Sequence, residues 1–433
     1  MARTIRRRER LLRGRTIGYT MLGSTLTACA EAQPTGPNEL AEPPVTPAPI
    51  SALLANCRNG FAFGYPCSGV DLVAHREARN LGPHRDDVGL NDVWGWTDPQ
   101  TGVEYALVGR HDGLSIVDLS TPTEPRTAAF LPTHTYSSNW RDMKVYADHV
   151  YVVSEAWDHG MQVLDLTRLR ALEEYTELRA DTHYGRVASV HNIAINEETG
   201  FAYAVGSNSG GDTCGGGLHM IDLSDPKRPT FAGCHATNGT GRTGTGYVHD
   251  VQCVVYRGPD VEHGGREICV SSNETAIVVS DVTDKARPVT LSTASYPYAG
   301  YVHQGWFNED RLYFYQNDEF DERDHGMPTR LLVWDFEDLD DPVLVKEHWG
   351  PTGAIDHDLY VHGDLLYYSN YTFGVRILDI SNPANPVERG FFDTVPLLND
   401  VTTTGAWSTY PYFESGLFVT TSRNEGFFVL RLR

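Results

Sequence analysis

One short pattern recurs along this chain and constrains its fold more than any other feature. A glycine or other residue opens an apolar run, the run ends in aspartate, and a proline-containing turn often follows. The copies are Gly113-Leu-Ser-Ile-Val-Asp118 with Pro122, Gly160-Met-Gln-Val-Leu-Asp165, and Gly217-Leu-His-Met-Ile-Asp222 with Pro226. Ala276-Ile-Val-Val-Ser-Asp281, Arg330-Leu-Leu-Val-Trp-Asp335 and Gly374-Val-Arg-Ile-Leu-Asp379 with Pro383 continue the series, and Gly426-Phe-Phe-Val-Leu430 is a last, shortened copy. The aspartates are 47, 57, 59, 54 and 44 residues apart. Repeats of that length built from short strands predict a β-propeller in which each copy is one four-stranded blade. The expectation is therefore an all-β, seven-bladed ring.

Within each blade the run ending in Asp reads as the third strand. The second strand precedes it, as at 105–109, 201–206 and 365–368, and the fourth follows the turn, as at 126–131 and 230–233. The last blade has no fourth strand after it. Val70-Asp-Leu-Val-Ala-His75 has the pattern to supply one, and such closure removes the open edges of an unfinished ring. Blade two differs, because 167–174 reads as a short helical turn before its outer strand. Abundant glycine (41), proline (24) and aromatic residues (11%) suit an all-β chain with many turns.

The repeat resembles the LVIVD repeat, and the region from about 56 to 433 resembles the choice-of-anchor B family of exported bacterial propellers. The likeness rests on Cys57-Arg-Asn-Gly-Phe, Gly64-Tyr-Pro-Cys67, Asp92-Val-Trp-Gly-Trp-Thr-Asp98, the run from Met161 to Arg170, Gly264-Gly-Arg-Glu-Ile-Cys269 and Tyr301-Val-His-Gln-Gly-Trp306. It implies a surface or periplasmic propeller whose members differ in how they are anchored, and it brings no reaction with it.

Charge separates the N-terminal segment from the rest. The chain carries −22, but residues 1–29 hold seven arginines and one acid, leaving 28 basic and 56 acidic residues, a net −28, in 30–433. An acidic body repels phosphate backbones, so nucleic acid is not an expected partner. The arginines precede a stretch, 16–28, too short for a membrane span of ~20 apolar residues, and the arrangement reads as a signal peptide. Leu26-Thr27-Ala28-Cys29 resembles a bacterial lipobox, with Cys29 as the lipidated residue; Arg7-Arg8 matches a twin-arginine signal poorly. Residues 30–50, with six prolines, read as a tether, and 51–433 as the propeller. The expected address is the extracytoplasmic face of a bacterial envelope or the cell surface, reached through the N-terminal lipid. Residue 30 is Ala and not an inner-membrane retention aspartate, and, with the sequence ending at Leu430-Arg-Leu-Arg433 on the last strand, no C-terminal anchor is expected.

With Cys29 set aside, six cysteines remain: Cys57, Cys67, Cys214, Cys234, Cys253 and Cys269. An even number in an exported chain predicts three disulfides, and sequence neighbours favour Cys57–Cys67, Cys214–Cys234 and Cys253–Cys269. The lack of CxxC spacing argues against structural zinc or redox chemistry.

Aligning the inner strands of the blades exposes two polar positions. The first is Asn91, Arg141, His191, His249, His303, His357 and Trp407; the second is Asp92, Asp142, Asn192, Asp250, Gln304, Asp358 and Ser408. In an up-and-down blade the loops between second and third strands share the face where inner strands enter. That face gathers Arg110-His111-Asp112, Glu155, Asn208, Asp212, Asn273-Glu274, Asn317-Asp318-Glu319, Asn370 and Arg423-Asn424-Glu425. Three readings follow. Imidazoles and acids can hold a divalent metal, His-bound transition metal or calcium. They can line a polar pocket for an extracellular ligand or protein. Or each His and Asp can lock neighbouring blades. The acid run containing Asp318, Glu319 and Asp321 is a further calcium candidate or a solvated loop; it lacks the order and glycine turn of a DxDxDG site. No nucleophile–base pair is visible, so a binding role is expected ahead of catalysis.

Overall fold

A computed structural model describes residues 55–396 and 398–433. The expected signal peptide, the lipidation site Cys29, the tether and residues 51–54 lie outside the described residues. Among the described residues seven blade sheets run outward from an inner strand through antiparallel neighbours, and Val187–Ser189 with Ser209–Gly211 forms a separate two-stranded sheet. The inner strands are Leu90–Thr97, Arg141–Tyr146, Asn192–Asn196, Asp250–Val255, Val302–Phe307, Leu359–His362 and Ala406–Tyr410. The aspartate-terminated runs are the third strands, as in Gly113–Asp118 and Val375–Asp379. The chain is thus an all-β, seven-bladed propeller.

The apolar runs are continuous because both faces of each blade are covered, so successive side chains pack in opposite directions onto different neighbours. Leu107, Leu114 and Ile116 of blade one pack with Val150, Val152 and Leu164 of blade two. Tyr151, Val153 and Val163, on the other face of blade two, meet Ile193, Ala202 and Ala204 of blade three. The same scheme continues round the ring to Val93, Val108 and Val117, which meet Val419 and Val429 of blade seven. The aspartate ending each run turns the chain. Its Oδ1 accepts from the backbone N–H two residues on, at 2.8 Å for Asp118, 2.7 Å for Asp222, 2.9 Å for Asp281, 2.8 Å for Asp335 and 3.0 Å for Asp379. These are Asx-type turns, which explains why Asp is the fixed letter of the repeat.

Closure follows the expected route. Val70–Arg76 pairs antiparallel with Gly426–Leu432, with Asp71 opposite Arg431. Just before it, the hairpin Phe61–Ala62 and Tyr65–Ser68 adds to the outer edge of blade six, with Cys67 opposite Phe392. In blade two a 3-10 helix, Leu166–Ala171, fills the place of the expected helical turn, and the outer strand is Thr182–Tyr184. Between them, Thr176–Glu177 pairs parallel with the outer strand of blade one, a cross-blade contact the repeat pattern does not announce.

All three disulfides join sequence neighbours: Cys57–Cys67, Cys214–Cys234 and Cys253–Cys269. The last links directly opposed residues of adjacent strands. Three disulfides point to an oxidising, extracytoplasmic environment. No helix among the described residues is long and apolar enough to cross a membrane.

Candidate functional site

The inner-strand residues converge on the central channel. Register breaks at Leu90/Val93, Val302/Gly305 and Ala406/Ser408 make the start of three inner strands irregular. This irregularity lets consecutive residues of one chain both approach the channel, where a regular strand would send one of them away.

His191, His249, His303 and His357 stand side by side along an arc. Ring centroids are 4.3, 4.2 and 4.4 Å apart from one to the next, and Trp407 ends the row 4.8 Å from His357. Each ring uses its Nδ1. His249 Nδ1 meets the carbonyl of His303 at 2.9 Å, and His357 Nδ1 meets the carbonyl of Trp407 at 2.6 Å. A carbonyl only accepts, so both rings carry their proton on Nδ1 and leave Nε2 as a lone pair. His303 Nδ1 meets Asn317 Oδ1 at 3.2 Å; that oxygen also accepts from the Gln304 backbone N–H, so His303 is fixed the same way. His191 Nδ1 lies 2.6 Å from Glu155 Oε1.

Glu319 faces this arc from the loop after the second strand of blade five. Its Oε2 is 3.8 Å from His303 Nε2, and its Oε1 accepts from Tyr371 Oη at 2.9 Å. One ligand atom each from His303, His357 and Glu319 falls within 4.8 Å of the others. Burial, with the neighbouring imidazoles, holds His249 and His303 well below the usual histidine range, and burial holds His357 down at about 3. Burial also pushes Glu319 up to about 7, against the Tyr371 hydrogen bond. His249, His303 and His357 are therefore neutral at pH 7, the form that binds metals. Above it opens a cavity of about 480 Å³, lined among others by Glu155, Arg242, Glu274, Tyr301, Glu319 and Arg423.

Deeper in the channel Asp92, Asp142, Asp250 and Asp358 approach a single cation, Lys144. Its Nζ is 2.6 Å from Asp142 Oδ1 and 3.4 Å from Asp92 Oδ2, and it sits 4.5 Å over the Trp94 ring. Four buried carboxylates and one ammonium cannot all be ionised. Burial and the Asp92 charge raise Asp142 well above the carboxylate range, and burial raises Asp250 to about 6. Asp358 rises through burial and its acidic neighbours. For Asp92, burial is outweighed by Lys144 and hydrogen bonds, and it stays low.

Several aligned residues act chiefly as locks between blades. Gln304 does not line the channel cavities: its amide bonds both the N–H and the carbonyl of Leu359, at 3.0 and 2.9 Å. Asn192 donates to the His249 carbonyl at 3.2 Å, and Asp142 Oδ2 accepts from the Ile193 amide at 2.7 Å. The acid run is not a solvated loop either. It forms a short helix, Asp321–His325, over buried Asp318, Asp321 and Glu322. Asp318 accepts from Tyr296 Oη and from the Gly300 and Tyr301 amides, at 2.7, 2.8 and 2.6 Å, which leaves it little capacity as a ligand. Of the expected mouth loops, Glu155, Glu274, Glu319 and Arg423 line the cavity, whereas Arg110 is buried against Asp112 at 2.9 Å and Asp212 pairs with Arg186. Sequence reasoning missed Lys144 and Arg242. Lys144 alone carries a usable signal: it lies two residues beyond Asp142, on the same strand face.

Comparison with known proteins bears on the fold. The LVIVD repeat model matches residues 104–129 and 356–394. A search of curated protein sequences gives no match. Among solved structures, a protein from Lactobacillus plantarum aligns at 12% identity over 77% of this chain and 88% of its own, with a TM-score of 0.49. A chain from the outer coat vertex of COPII on membranes aligns at 12% identity over 79% and 84%, with a TM-score of 0.55. A chain of the COPII coat assembled on membranes matches at 12% over 79% of this chain and 46% of that one, also with a TM-score of 0.55. At such identity the likeness concerns architecture. Repeat and ring together make this chain an LVIVD-repeat β-propeller of seven blades.

Proposed function

We propose that the protein is an exported, lipid-anchored propeller that binds a divalent transition metal at its channel mouth through His249, His303, His357 and Glu319. One observation carries the metal reading. Three neighbouring imidazoles are each fixed through Nδ1 to an oxygen acceptor, His303 Nε2 lies 3.8 Å from the buried Glu319 carboxylate, and His303, His357 and Glu319 each bring one ligand atom within 4.8 Å of the others. Metal-binding histidines characteristically commit their second nitrogen in this way, because it sets the tautomer and ring orientation. Histidine with one carboxylate suits zinc, iron, copper or nickel better than calcium. His191, tied to Glu155, stands at the end of the arc as a fourth imidazole.

The envelope address rests on the N-terminal arginines, the lipobox-like Leu26-Thr27-Ala28-Cys29, the proline-rich 30–50 and the three disulfides. It agrees with the resemblance to choice-of-anchor B proteins. The role is binding, with the metal as the bound species or as the point where an extracellular ligand attaches. Elemental analysis of the purified full-length protein tests it: near-stoichiometric transition metal is expected, and a metal-free protein whose melting ignores chelators would sink the metal reading. Globomycin-sensitive processing and palmitate labelling, both abolished by Cys29→Ala, test the anchor.

A further inference from the structure

The channel-mouth cavity carries positive charge that neither the histidine arc nor the blade locks use. Three arginines line it, Arg242, Arg323 and Arg423. Arg323 is spent, because its Nε and Nη2 donate to the two carboxylate oxygens of Asp324 at 2.7 and 3.1 Å. Among the described residues the other two guanidiniums reach only backbone carbonyls. Arg242 Nη2 donates to Gly300 at 2.7 Å, and Arg423 Nη1 donates to Thr403 at 3.3 Å. A guanidinium has several N–H donors in a fixed fork, so each keeps most of its fork for another acceptor.

Both cations are held at the ends of the arc. The Arg242 guanidinium lies 4.5 Å over the Tyr301 ring, and that ring is 5.1 Å from His249. The Arg423 guanidinium lies 5.5 Å over the Trp407 ring, which is 4.8 Å from His357. Stacking on a ring holds a guanidinium in place while its edge stays free to bond. The acids of the same wall already have partners. Glu155 meets His191 Nδ1 at 2.6 Å, Glu274 accepts from the Arg242 backbone N–H at 2.7 Å, and Glu319 accepts from Tyr371 at 2.9 Å. The unspent charge at the mouth is therefore that of Arg242 and Arg423.

We infer that this cavity takes a small organic anion, lying along the arc between Arg242 and Arg423, with a carboxylate or phosphate as the group the guanidiniums hold. The planar fork of arginine matches either oxyanion with paired hydrogen bonds. The cavity, about 480 Å³, is of the size that holds a small organic molecule against aromatic walls. The rest of the body is strongly acidic and repels anions, so binding here depends on these two side chains. The inference rests on the channel-mouth site proposed above, though on its arginines and not on its metal. A cation held by His303, His357 and Glu319 would face the same cavity and attract the same oxyanion.

Calorimetric titration of the purified full-length protein with succinate and with glycerol 3-phosphate tests it, with neutral succinamide as the control. Saturable binding of at least one anion, weakened by added salt, is expected, and none of succinamide. Tighter binding of succinate assigns the held group to a carboxylate, and tighter binding of glycerol 3-phosphate assigns it to a phosphate. Arg242→Gln and Arg423→Gln should each weaken binding about tenfold or more, the loss of a charged hydrogen bond, with metal content unchanged. Failure of both anions to saturate at millimolar concentration overturns the inference. So does succinamide binding as tightly as succinate, or an affinity that neither arginine variant alters. Should a glutamine variant not fold, Arg423→Lys and Arg242→Lys keep the charge but lose the fork, and should still weaken binding. Metal analysis of the same samples separates the two readings. A metal-free protein that binds the anion through its arginines upholds this inference and removes the metal, whereas a metal-loaded protein that binds neither anion does the reverse.

Discussion

Blades one to six carry a polar residue at two repeated places, and the two behave differently. At the outer turn, Asp118, Asp222, Asp281, Asp335 and Asp379 accept from a nearby amide and complete a turn. At the channel, His249 and His357 also bond a backbone carbonyl, but of the next blade. The difference is the valence that remains. A turn aspartate spends its carboxylate on the turn amide and, at Asp118 and Asp281, on a neighbouring arginine. A channel histidine locks two blades with one nitrogen and keeps the other for a ligand. Repetition alone therefore does not separate scaffold from site; unspent hydrogen-bonding or ligating capacity does.

Four perturbations would break or sharpen that contrast. The largest effect is expected from Lys144→Met. Removing the ammonium leaves Asp92 and Asp142 uncompensated, and loss of one partner of a buried ion pair costs ~3–5 kcal/mol. Urea unfolding at pH 7 should show it, and the loss should shrink at low pH, where protonation discharges the acids. His303→Ala comes next. It should abolish metal occupancy in elemental analysis and cost ~1–3 kcal/mol for the buried group left unpaired at Asn317; unchanged occupancy would move His303 into the scaffold class. Asp222→Ala should cost ~1 kcal/mol, the usual value of a side-chain-to-backbone cap, and leave metal content untouched.

The fourth perturbation is a change of pH on the metal-free protein, whose effect grows the further the pH falls. His357 titrates at about 3 when folded and near 6.5 when exposed. Between these values the unfolded chain binds more protons, so stability is complete above pH 6.5 and falls as pH drops towards 3. Glu319 acts in the opposite sense. Raised to about 7, it favours the folded state below its ordinary value of 4.5, and that contribution is lost as pH rises through 7. Thermal melts across pH 3–8 should show a maximum between the two limbs, and His357→Gln should flatten the acid limb.

The ring was legible because its signal is periodic. The turn aspartate and the apolar runs repeat in sequence, and the unpaired last blade pointed to Val70-Asp-Leu-Val-Ala-His75 as its partner. The histidine arc was legible for the same reason, since alignment of inner strands puts His191, His249, His303 and His357 at one height. Other features depend on contacts that sequence spacing does not encode. Gln304 became a lock because its amide reaches both backbone groups of Leu359. The acid run reads as solvent-exposed, yet Asp318 and Asp321 are buried because Tyr296, Gly300, Tyr301 and Arg330 approach from other segments. Lys144 shares a strand face with Asp142 in sequence, but its pairing with Asp92 of another blade is visible only in the ring.

The closing strand has a kinetic consequence. Asp71 pairs with Arg431, nearly the whole ring away in sequence. Loop closure over such a distance is thermodynamically modest, about 0.6 kcal/mol for each doubling of length, but contacts this remote form late. Early blades can fold as local hairpins while blade seven waits for its fourth strand. During that interval the edge Gly426–Leu432 is open to the Val70–Arg76 strand of another chain as readily as to its own. A −28 body slows that encounter, so the acidity of residues 30–433 would favour each ring closing on itself during folding.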